Sequence, residues 1–226
     1  MTGEKIAIIG GAGELGFGLA LRWVKAGADV VIGSRDEKKA QEAVQRIKNA
    51  IGDASVRGQD NVSAAGSGSI VVVTVPFAAQ AGILKSIKPV LNDAILVDAT
   101  VPLAVAYGGK LTRLIGVWEG SAAEAARELV PANVPVLAAF HSVSADVLQD
   151  LSATPDCDVL VCGDDAAAKE RLFALIRMIP GLKPLDAGAL EMARMVEGIS
   201  PLLIGLNRRN KGAHAGIRIT GLPQEN

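Results

Sequence analysis

The sequence predicts an α/β protein with an open, doubly wound parallel sheet and a small C-terminal α/β lobe. Short Val- and Ile-rich runs alternate with longer runs rich in Ala, Leu and charged residues, which is typical of buried parallel strands joined by helices. A glycine-rich loop directly after the first such run supports the same fold. With 226 residues, of which 50% are hydrophobic, the chain is long enough for one sizeable core.

Six strands alternate with four helices before residue 140. Each predicted strand is a short aliphatic run, and the strands are expected at residues 5–10, 29–33, 55–59, 69–75, 94–97 and 134–139. Each predicted helix is a longer run rich in Ala, Leu and charged residues, and the helices are expected at residues 14–26, 36–51, 77–87 and 121–130. The last helix begins with Ser121 and Glu124 at the spacing of a capping box.

The pattern changes after residue 140. The expected elements there are a short helix at 145–151, a strand at 158–161, a helix at 166–179, a strand at 183–185 and a long helix at 187–210. Pro201 lacks the N–H that a helix interior needs, so we expect a kink at Ser200–Pro201. Because no Pro-, Gly- or Ser-rich linker intervenes, we expect a main domain over residues 1–139 and a smaller lobe over residues 140–226 that completes a substrate cleft.

Composition and charge exclude several function classes. Four Phe, two Trp and one Tyr make up only 3% of the chain, which leaves few rings to stack on nucleic-acid bases. The 23 basic and 24 acidic residues give a net charge of −1, so no basic field attracts polyanions. No apolar run approaches the ~20 residues that cross a bilayer, and the N-terminus has no signal-peptide pattern. We therefore expect a cytoplasmic protein without nucleic-acid or membrane partners.

Neither a disulfide nor a metal site is expected. Cys157 and Cys162 lie five residues apart, which puts them on opposite faces of a strand. They are expected as buried structural thiols. The sequence also contains no cluster of residues with metal-ligand spacing.

A Gly-x-Gly-x-x-Gly motif follows the first strand. Gly11 is expected to allow a tight turn, Gly13 to let the backbone approach a pyrophosphate, and Gly16 to let the helix pack on the strand. Because the motif ends a strand, opens a helix and begins a βαβ unit, it predicts dinucleotide binding on a Rossmann-type domain. The candidate cofactor-binding residues of this loop are Gly11, Ala12, Gly13, Glu14, Leu15 and Gly16.

The residues after the second strand favour NADP over NAD. NAD binders place an acidic residue there to bond the ribose hydroxyls, whereas this chain has Ser34 and Arg35. An Arg guanidinium can bind a 2′-phosphate as a fork, the Ser34 hydroxyl can add a hydrogen bond, and Lys38 or Lys39 can add charge. The alternative is that these cations only solvate the start of a helix capped by Asp36.

A second ligand-facing segment is predicted where the fourth strand ends. Thr74, Val75, Pro76 and Phe77 follow that strand on the same side of the sheet as the glycine motif, where ligands bind in such sheets. Phe77 is expected near the nicotinamide, or alternatively in the core behind an ordinary strand exit.

Acid and base groups are scarce. Of the two histidines, His214 lies in a Gly-rich tail, whereas His141 follows a strand and is expected near the cleft. Many alcohol dehydrogenases need a general base, but the sequence has no Tyr-x-x-x-Lys dyad and no His–Asp relay. This predicts a partner whose chemistry is nearly complete in hydride transfer itself, such as another redox cofactor.

The sequence resembles the NADPH-dependent coenzyme F420 reductases over nearly the whole chain. The matching segments are Gly10 to Gly16, Gly33 to Arg35, Thr74 to Phe77, His141 to Val143, Val161 to Asp165, Gly181 to Gly188 and Ser200 to Leu203. The C-terminal segments are the more specific, because generic dinucleotide binding does not require them. The resemblance implies an oxidoreductase that transfers hydride between NADP(H) and the deazaflavin coenzyme F420, in a homodimer.

The resemblance also implies which residues contact the deazaflavin. In that family the ring lies against the nicotinamide in a cleft beside the C-terminal lobe. His141 and Ser200 would orient and polarise its polar edge, Val143 would press the two rings together, and Arg194 would balance negative charge. The alternative for His141 is a hydrogen-bonded loop histidine.

Other interpretations stay open. Arg194 could instead form a salt bridge with Glu191 or Glu197, and the chain departs from the family where Gly198 replaces a Ser and Glu14 replaces a neutral amide. A pocket enlarged at Gly198 would allow another acceptor, such as a flavin, a pterin, a metal chelate or a small imine or keto compound. A third possibility is an NADPH-binding sensor without turnover.

Overall fold

An eight-stranded sheet forms the centre of the protein in a computed structural model that describes residues 3–222. The strands are β1 (Lys5–Ile9), β2 (Asp29–Ser34), β3 (Val56–Asp60), β4 (Ile70–Val73), β5 (Ile95–Asp98), β6 (Val136–Ala138), β7 (Cys157–Gly163) and β8 (Leu182–Asp186). Their order is β3-β2-β1-β4-β5-β6-β7-β8, with β1 to β6 parallel, β7 antiparallel to β6, and β8 parallel to β7. This confirms the predicted α/β class and its doubly wound parallel sheet.

Nine α-helices of the described chain cover the two faces of this sheet. They are α1 (Glu14–Lys25), α2 (Glu37–Ile51), α3 (Asn61–Ser67), α4 (Phe77–Ile87), α5 (Ala122–Leu129), α6 (Ala145–Gln149), α7 (Ala166–Arg177), α8 (Ala193–Val196) and α9 (Ile199–Arg209). Short 3₁₀ turns occur at Lys88–Val90, Ala104–Tyr107 and Leu190–Met192. Side chains cap several helices by accepting N–H bonds; Ser121 accepts from the Glu124 amide at 3.0 Å, as its spacing predicts.

Alternate strand residues supply two cores, one on each face of the sheet. Ile6 and Ile8 of β1 pack with the α1, α2 and α7 side, whereas Ala7 and Ile9 pack with the α3, α4 and α5 side. Because both faces are covered, the central strands read as continuous aliphatic runs. The sequence pattern identifies them for this reason.

The crevice for a ligand lies where the strand order reverses. β1 pairs with β2 on one side and with β4 on the other, so the connections from β1 and from β4 run in opposite directions. In open α/β sheets such a switch point leaves a crevice at the carboxyl ends of the strands. The glycine motif and the segment after β4 both lie there.

Two parts of the predicted secondary structure are corrected. Helix α3 is missing from the prediction because its Asn, Ser and Gly residues have weak helix propensity. The Asp60 carboxylate caps it by accepting the Val62 and Ser63 amides, and Ala64 and Ala65 are buried against the sheet. Tertiary contact and capping therefore form a helix that local propensity does not.

The predicted long helix over 187–210 is three pieces, a 3₁₀ turn, α8 and α9. The break lies at Glu197–Gly198 and not at Ser200–Pro201. Pro201 falls in the first turn of α9, which tolerates a residue without an N–H. In a continuous helix the residue at 201 would donate to the Glu197 carbonyl, so the missing N–H places the break four residues before Pro201.

Two further predictions concern the C-terminal part. Cys157 and Cys162 are buried free thiols on opposite faces of β7, as predicted. Burial raises the pKa of Cys157 to about 11 and that of Cys162 to about 12. β7 and β8 continue the sheet, and the division at residue 140 stays a prediction. Among residues 3–222, no helix is long and apolar enough to cross a bilayer.

Candidate functional site

The turn between β1 and α1 carries the glycine motif. The left-handed backbone that the turn requires belongs to Gly10, at φ 79°, and not to Gly11 as expected. Gly11 is needed for a different reason, since a Cβ there would lie 2.8 Å from the Ile8 carbonyl oxygen. A side chain at Gly16 would lie 2.5 Å from the Thr74 Oγ1, so the close helix–strand packing expected at this glycine is present.

The first turn of α1 is open to an anion. Gly13 occupies the N-cap position and supplies no side-chain acceptor for the first helical amides. Such amides carry partial positive charge that the helix dipole reinforces, and phosphate groups bind there in dinucleotide-binding folds. Glu14 is the acidic residue of this turn. It lines the neighbouring cavity described below.

A cavity of about 300 Å³ lies beside this turn. It is lined by Gly10, Ala12, Gly13, Ser34, Arg35, Lys39, Asn61, Thr74, Val75, Pro76, Ala79 and Ile83. Most of the predicted cofactor residues are thus brought together from the glycine turn, the end of β2 and the end of β4. Phe77 is half-buried and is not among the lining residues, and Gly11 and Gly16 form the turn rather than the cavity wall.

One end of this cavity is basic. Arg35 is exposed and makes no hydrogen bond or ion pair within residues 3–222, and Lys39 lines the same end whereas Lys38 does not. The Ser34 hydroxyl accepts the Asp36 amide at 3.2 Å, and Asp36 caps α2. None of the described residues lining the cavity is Asp or Glu. The residues therefore fit a ribose that carries a 2′-phosphate.

Asn61 is a lining residue that the sequence reasoning missed. It is 6% exposed, and its Oδ1 has no hydrogen-bond partner among the described residues. A buried amide oxygen without a partner is costly, so it favours a ligand that donates a hydrogen bond to it. The only signal in the sequence is a polar residue directly after β3, which the prediction took for a loop.

A second cavity, of about 450 Å³, adjoins the first. It is lined by Glu14, Leu15, Ala99, Val101, Leu103, Phe140, His141, Ser142, Val143, Ser144, Ala145, Ser200, Leu203, Ile204, Asn207 and Ala215. Gly13 lines the first cavity and Glu14 the second, so both cavities border the first turn of α1. We call them the nucleotide cavity and the acceptor cavity.

His141 is buried in the wall of the acceptor cavity. Burial lowers the pKa of its imidazole to about 4, and the Thr100 backbone opposes part of this effect. The ring is therefore neutral at neutral pH, with one nitrogen a donor and the other an acceptor. Neither ring nitrogen makes a hydrogen bond of normal geometry within the described chain, which leaves both nitrogens open to a ligand in the cavity.

The backbone before this histidine is strained. Phe140 has φ 72°, and it is the one non-glycine residue in the described chain with a left-handed backbone. Its ring is fully buried against Trp23 in an edge-on arrangement with centroids 5.7 Å apart. Because packing holds Phe140 in this conformation, the side chain of His141 is turned toward the cavity.

The remaining predicted residues are only partly brought together. Val143 and Ser200 line the acceptor cavity. The Ser200 hydroxyl already donates to the His141 carbonyl at 2.6 Å, so only its lone pairs are available to a ligand.

Arg194 and Gly198 lie outside the lining of the acceptor cavity. The Arg194 guanidinium forms an ion pair with the Glu124 carboxylate at 2.6 Å, and its Nε donates to the Glu191 backbone carbonyl at 2.9 Å; the alternative had proposed a salt bridge to the Glu191 or Glu197 side chain. Its role at a deazaflavin stays a prediction. A Cβ at Gly198 would lie 3.2 Å from the Met195 carbonyl oxygen and 3.8 Å from Leu114, and none of the residues it would meet lines the acceptor cavity. No group of metal-ligating side chains occurs in the part of the chain that the structure describes.

Known proteins share this architecture and sequence. The family model described as NADP oxidoreductase, coenzyme F420-dependent, matches residues 5–102. An F420-dependent NADP reductase of Methanothermobacter thermautotrophicus is 48% identical over 98% of this chain and 97% of its own length. That of Methanothermobacter marburgensis is 44% identical over 97% of this chain and 100% of its own.

A solved structure agrees with these relatives. The crystal structure of a provisionally assigned F420-dependent NADP reductase of Arthrobacter sp. FB24 superposes with a TM-score of 0.83 at 25% identity, over 97% of this chain and 100% of that one. The similarity therefore extends through the residues after 140 as well as the glycine-loop region. The chain belongs to the family of coenzyme F420-dependent NADP oxidoreductases.

Proposed function

We propose that this chain is an oxidoreductase that transfers a hydride between NADP(H) and coenzyme F420. The observation that carries the proposal is the pair of cavities that border the first turn of α1, one with a basic end and one walled by aliphatic groups around a neutral His141 with both ring nitrogens open to a ligand. The family relatives that match nearly the whole chain carry the same activity in their names.

The nucleotide cavity accommodates NADP(H). The amides of the α1 first turn face the pyrophosphate, and Arg35 and Lys39 hold the 2′-phosphate. Asn61 accepts a hydrogen bond from the adenosine half. Thr74, Val75 and Pro76 then direct the nicotinamide toward the acceptor cavity.

The acceptor cavity receives the deazaflavin ring. Aliphatic groups, with Val143 and Leu203 among them, hold the ring against the nicotinamide and exclude water. His141 bonds its polar edge as a neutral donor and acceptor, and the Ser200 oxygen accepts from it. Because two planar cofactors stack on each other, the chain does not need aromatic side chains in this role, which agrees with its low aromatic content.

The chemistry needs little from the protein besides position. Bound NADPH supplies a hydride from the nicotinamide C4 to the deazaflavin C5, and one proton from solvent balances the reduced ring. His141, whose pKa lies near 4, does not carry that proton at neutral pH and serves to orient the acceptor. The rate then depends on how closely the two cavities hold the reacting carbons.

An acceptor panel tests the proposal. Purified protein is mixed with NADPH and, in separate reactions, with oxidised F420, FMN, a pterin or a ferric chelate, and NADPH oxidation is followed by absorbance. We expect rapid bleaching of F420 and turnover of the other acceptors at least about 100-fold slower, since the acceptors differ in the polar groups that they present to His141 and Ser200. Faster turnover of another acceptor, or NADPH binding without any turnover, would replace this function by one of the alternatives.

We also propose that the chain is a cytoplasmic homodimer. Several large apolar side chains on α8, α9 and the loop before α5 are exposed, namely Tyr107, Trp118, Met195, Leu202 and Leu206. An exposed apolar patch of this kind is typical of a protein interface, and a second copy of the chain is its proposed occupant. Light scattering across a concentration series tests this, with a mass near 46 kDa expected, about twice the 23.2 kDa of one chain.

A further inference from the structure

The bend between α8 and α9 contains a buried carboxylate that the proposed mechanism does not use. Glu197 is 2% exposed and has no cationic partner among the described residues. Its Oε2 accepts the Ala122 amide at 2.9 Å, and its Oε1 accepts the Ala123 amide at 3.1 Å. A buried carboxyl group needs hydrogen bonds that replace its lost hydration, and here the first two amides of α5 supply them.

This contact continues a buried polar network toward the nucleotide cavity. The Gln80 amide group donates to the Ala122 carbonyl at 2.9 Å, to the Asp98 carboxylate at 2.7 Å and to the Thr100 hydroxyl at 2.9 Å. Gln80 lies on α4, and other residues of this helix line the nucleotide cavity. The network therefore joins the helix that follows β4 to the start of α5.

In the other direction the network reaches the acceptor cavity. The Ser200 amide donates to the Glu197 carbonyl at 3.3 Å, and the Ser200 hydroxyl donates to the His141 carbonyl at 2.6 Å. Ser200, Leu203 and other α9 residues form one wall of that cavity. A shift at the bend would move this wall and the His141 loop together.

Within the bend, the polar contacts to the rest of the protein come from the Glu197 side chain. The Glu197 amide donates to the Ala193 carbonyl at 2.8 Å, which completes α8, and Pro201 cannot continue this bonding into α9 because it has no N–H. Before the bend, Arg194 of α8 pairs with Glu124 of α5 at 2.6 Å, and after it the Ser200 hydroxyl bonds the His141 carbonyl. Between these two contacts, the Glu197 side chain holds the bend itself against the start of α5.

We propose that Glu197 is a positioning residue, which clamps the α8–α9 bend onto the start of α5 and so fixes the distance between the acceptor cavity and the nucleotide cavity. The proposal rests on the proposed function for its kinetic consequence. It makes a separate structural prediction, because the clamp holds the first turn of α9 whether or not F420 is the acceptor.

The experiment compares Glu197→Ala, the isosteric Glu197→Gln and a matched control, Glu191→Ala, which removes an exposed carboxylate six residues earlier. For Glu197→Ala we expect KM for F420 to rise and kcat to fall, each about tenfold, with the Kd for NADPH changed less than about twofold. Glu197→Gln keeps one acceptor oxygen and should recover part of both values. Glu191→Ala should match the wild type.

Hydrogen–deuterium exchange supplies the readout that needs no acceptor. In Glu197→Ala the amides of Ala122 and Ala123 and those of residues 199–203 should exchange at least about tenfold faster. Faster exchange confined to the two α5 amides, with wild-type kinetics, would reduce Glu197 to a helix cap and overturn the proposal. If Glu197→Ala does not fold, the same comparison is made with Glu197→Gln. If the wild type does not reduce F420, the proposed function fails, and unchanged exchange at 199–203 in the variant would still overturn the clamp.

Discussion

Replacing Arg35 by Ala should separate NADPH from NADH. The guanidinium lies exposed at the basic end of the nucleotide cavity, without a partner in the described chain, so its removal breaks no contact inside the protein. NADH has no 2′-phosphate, so its affinity should change less than about twofold. The loss of binding free energy should therefore appear only in NADPH binding.

The size of the loss follows from the exposure of the site. A hydrogen bond to a charged group contributes about 1.5–3 kcal/mol, and an Arg fork can make two of them to a phosphate. Because solvent screens an exposed guanidinium, we expect about half of the combined value, about 1.5–3 kcal/mol in total. This corresponds to a Kd for NADPH that rises about 10- to 150-fold.

The assay is titration of each nucleotide by calorimetry or by NAD(P)H fluorescence. Lys38→Ala is the matched control, since this neighbouring cation does not line the cavity, whereas Lys39→Ala should show a smaller, same-direction loss. Equal losses of NADPH and NADH affinity in Arg35→Ala would mean that Arg35 acts on the fold or on the adenine, and the assignment of the 2′-phosphate site would be refuted.

Three further predictions concern stability. Gly16→Ala forces a Cβ to 2.5 Å from Thr74 Oγ1 and should lower the free energy of unfolding by about 1–3 kcal/mol in urea titrations. A Cβ at Gly82 would meet nothing within 4 Å, so Gly82→Ala should raise this free energy by about 0.5–1 kcal/mol. Similar effects of the two substitutions would contradict the close packing at Gly16. Burial lowers the pKa of His141 from 6.5 to about 4, so its contribution to stability is full above about pH 6.5 and is lost as the pH falls through about 4. The stability of His141→Gln should therefore fall less than that of the wild type over this interval. Parallel curves of stability against pH for the two proteins would show that the imidazole is not desolvated. Burial raises the pKa of Glu197 from 4.5 to about 8, so its contribution to stability is full below about pH 4.5 and is lost as the pH rises through about 8. The wild type should therefore lose stability over that interval, and Glu197→Gln should lose less. Identical slopes of unfolding free energy against pH, measured by chemical denaturation, would disprove this expectation.

The fold could be predicted wherever local pattern and burial agree. The central strands are buried on both faces and therefore appear as aliphatic runs, and the glycine motif lies within one short βαβ unit. Helix α3 could not be predicted, because a capping carboxylate at Asp60 and contact with the sheet form it against its own propensities. The break before α9 lies at Glu197–Gly198 and not at Ser200–Pro201, because the bond that Pro201 lacks is to a carbonyl four residues earlier.

The candidate site, like the fold, could be predicted only where local sequence pattern indicates its residues. The nucleotide cavity uses segments that each follow a strand, so the sequence identifies most of its residues. The acceptor cavity is assembled from segments after β5, after β6 and from α9. The position of His141 after a strand pointed to the cleft, whereas only the family resemblance pointed to Val143 and Ser200. The pairing of Arg194 with Glu124 joins residues 70 positions apart and leaves no sequence pattern. Asn61 and Glu197 are common polar residues whose importance comes from burial alone.

Isotope transfer tests the central claim most directly. NADPH carrying deuterium at C4, with each of the two stereospecific labels in turn, is reacted with oxidised F420 in ordinary water, and the reduced deazaflavin is analysed by mass spectrometry. The two cavities bordering α1 predict that one label is transferred quantitatively to the deazaflavin C5 and the other is retained on the nicotinamide. Loss of the transferred label to solvent, or equal transfer from both faces, would contradict direct hydride transfer between two rings held in one fixed arrangement.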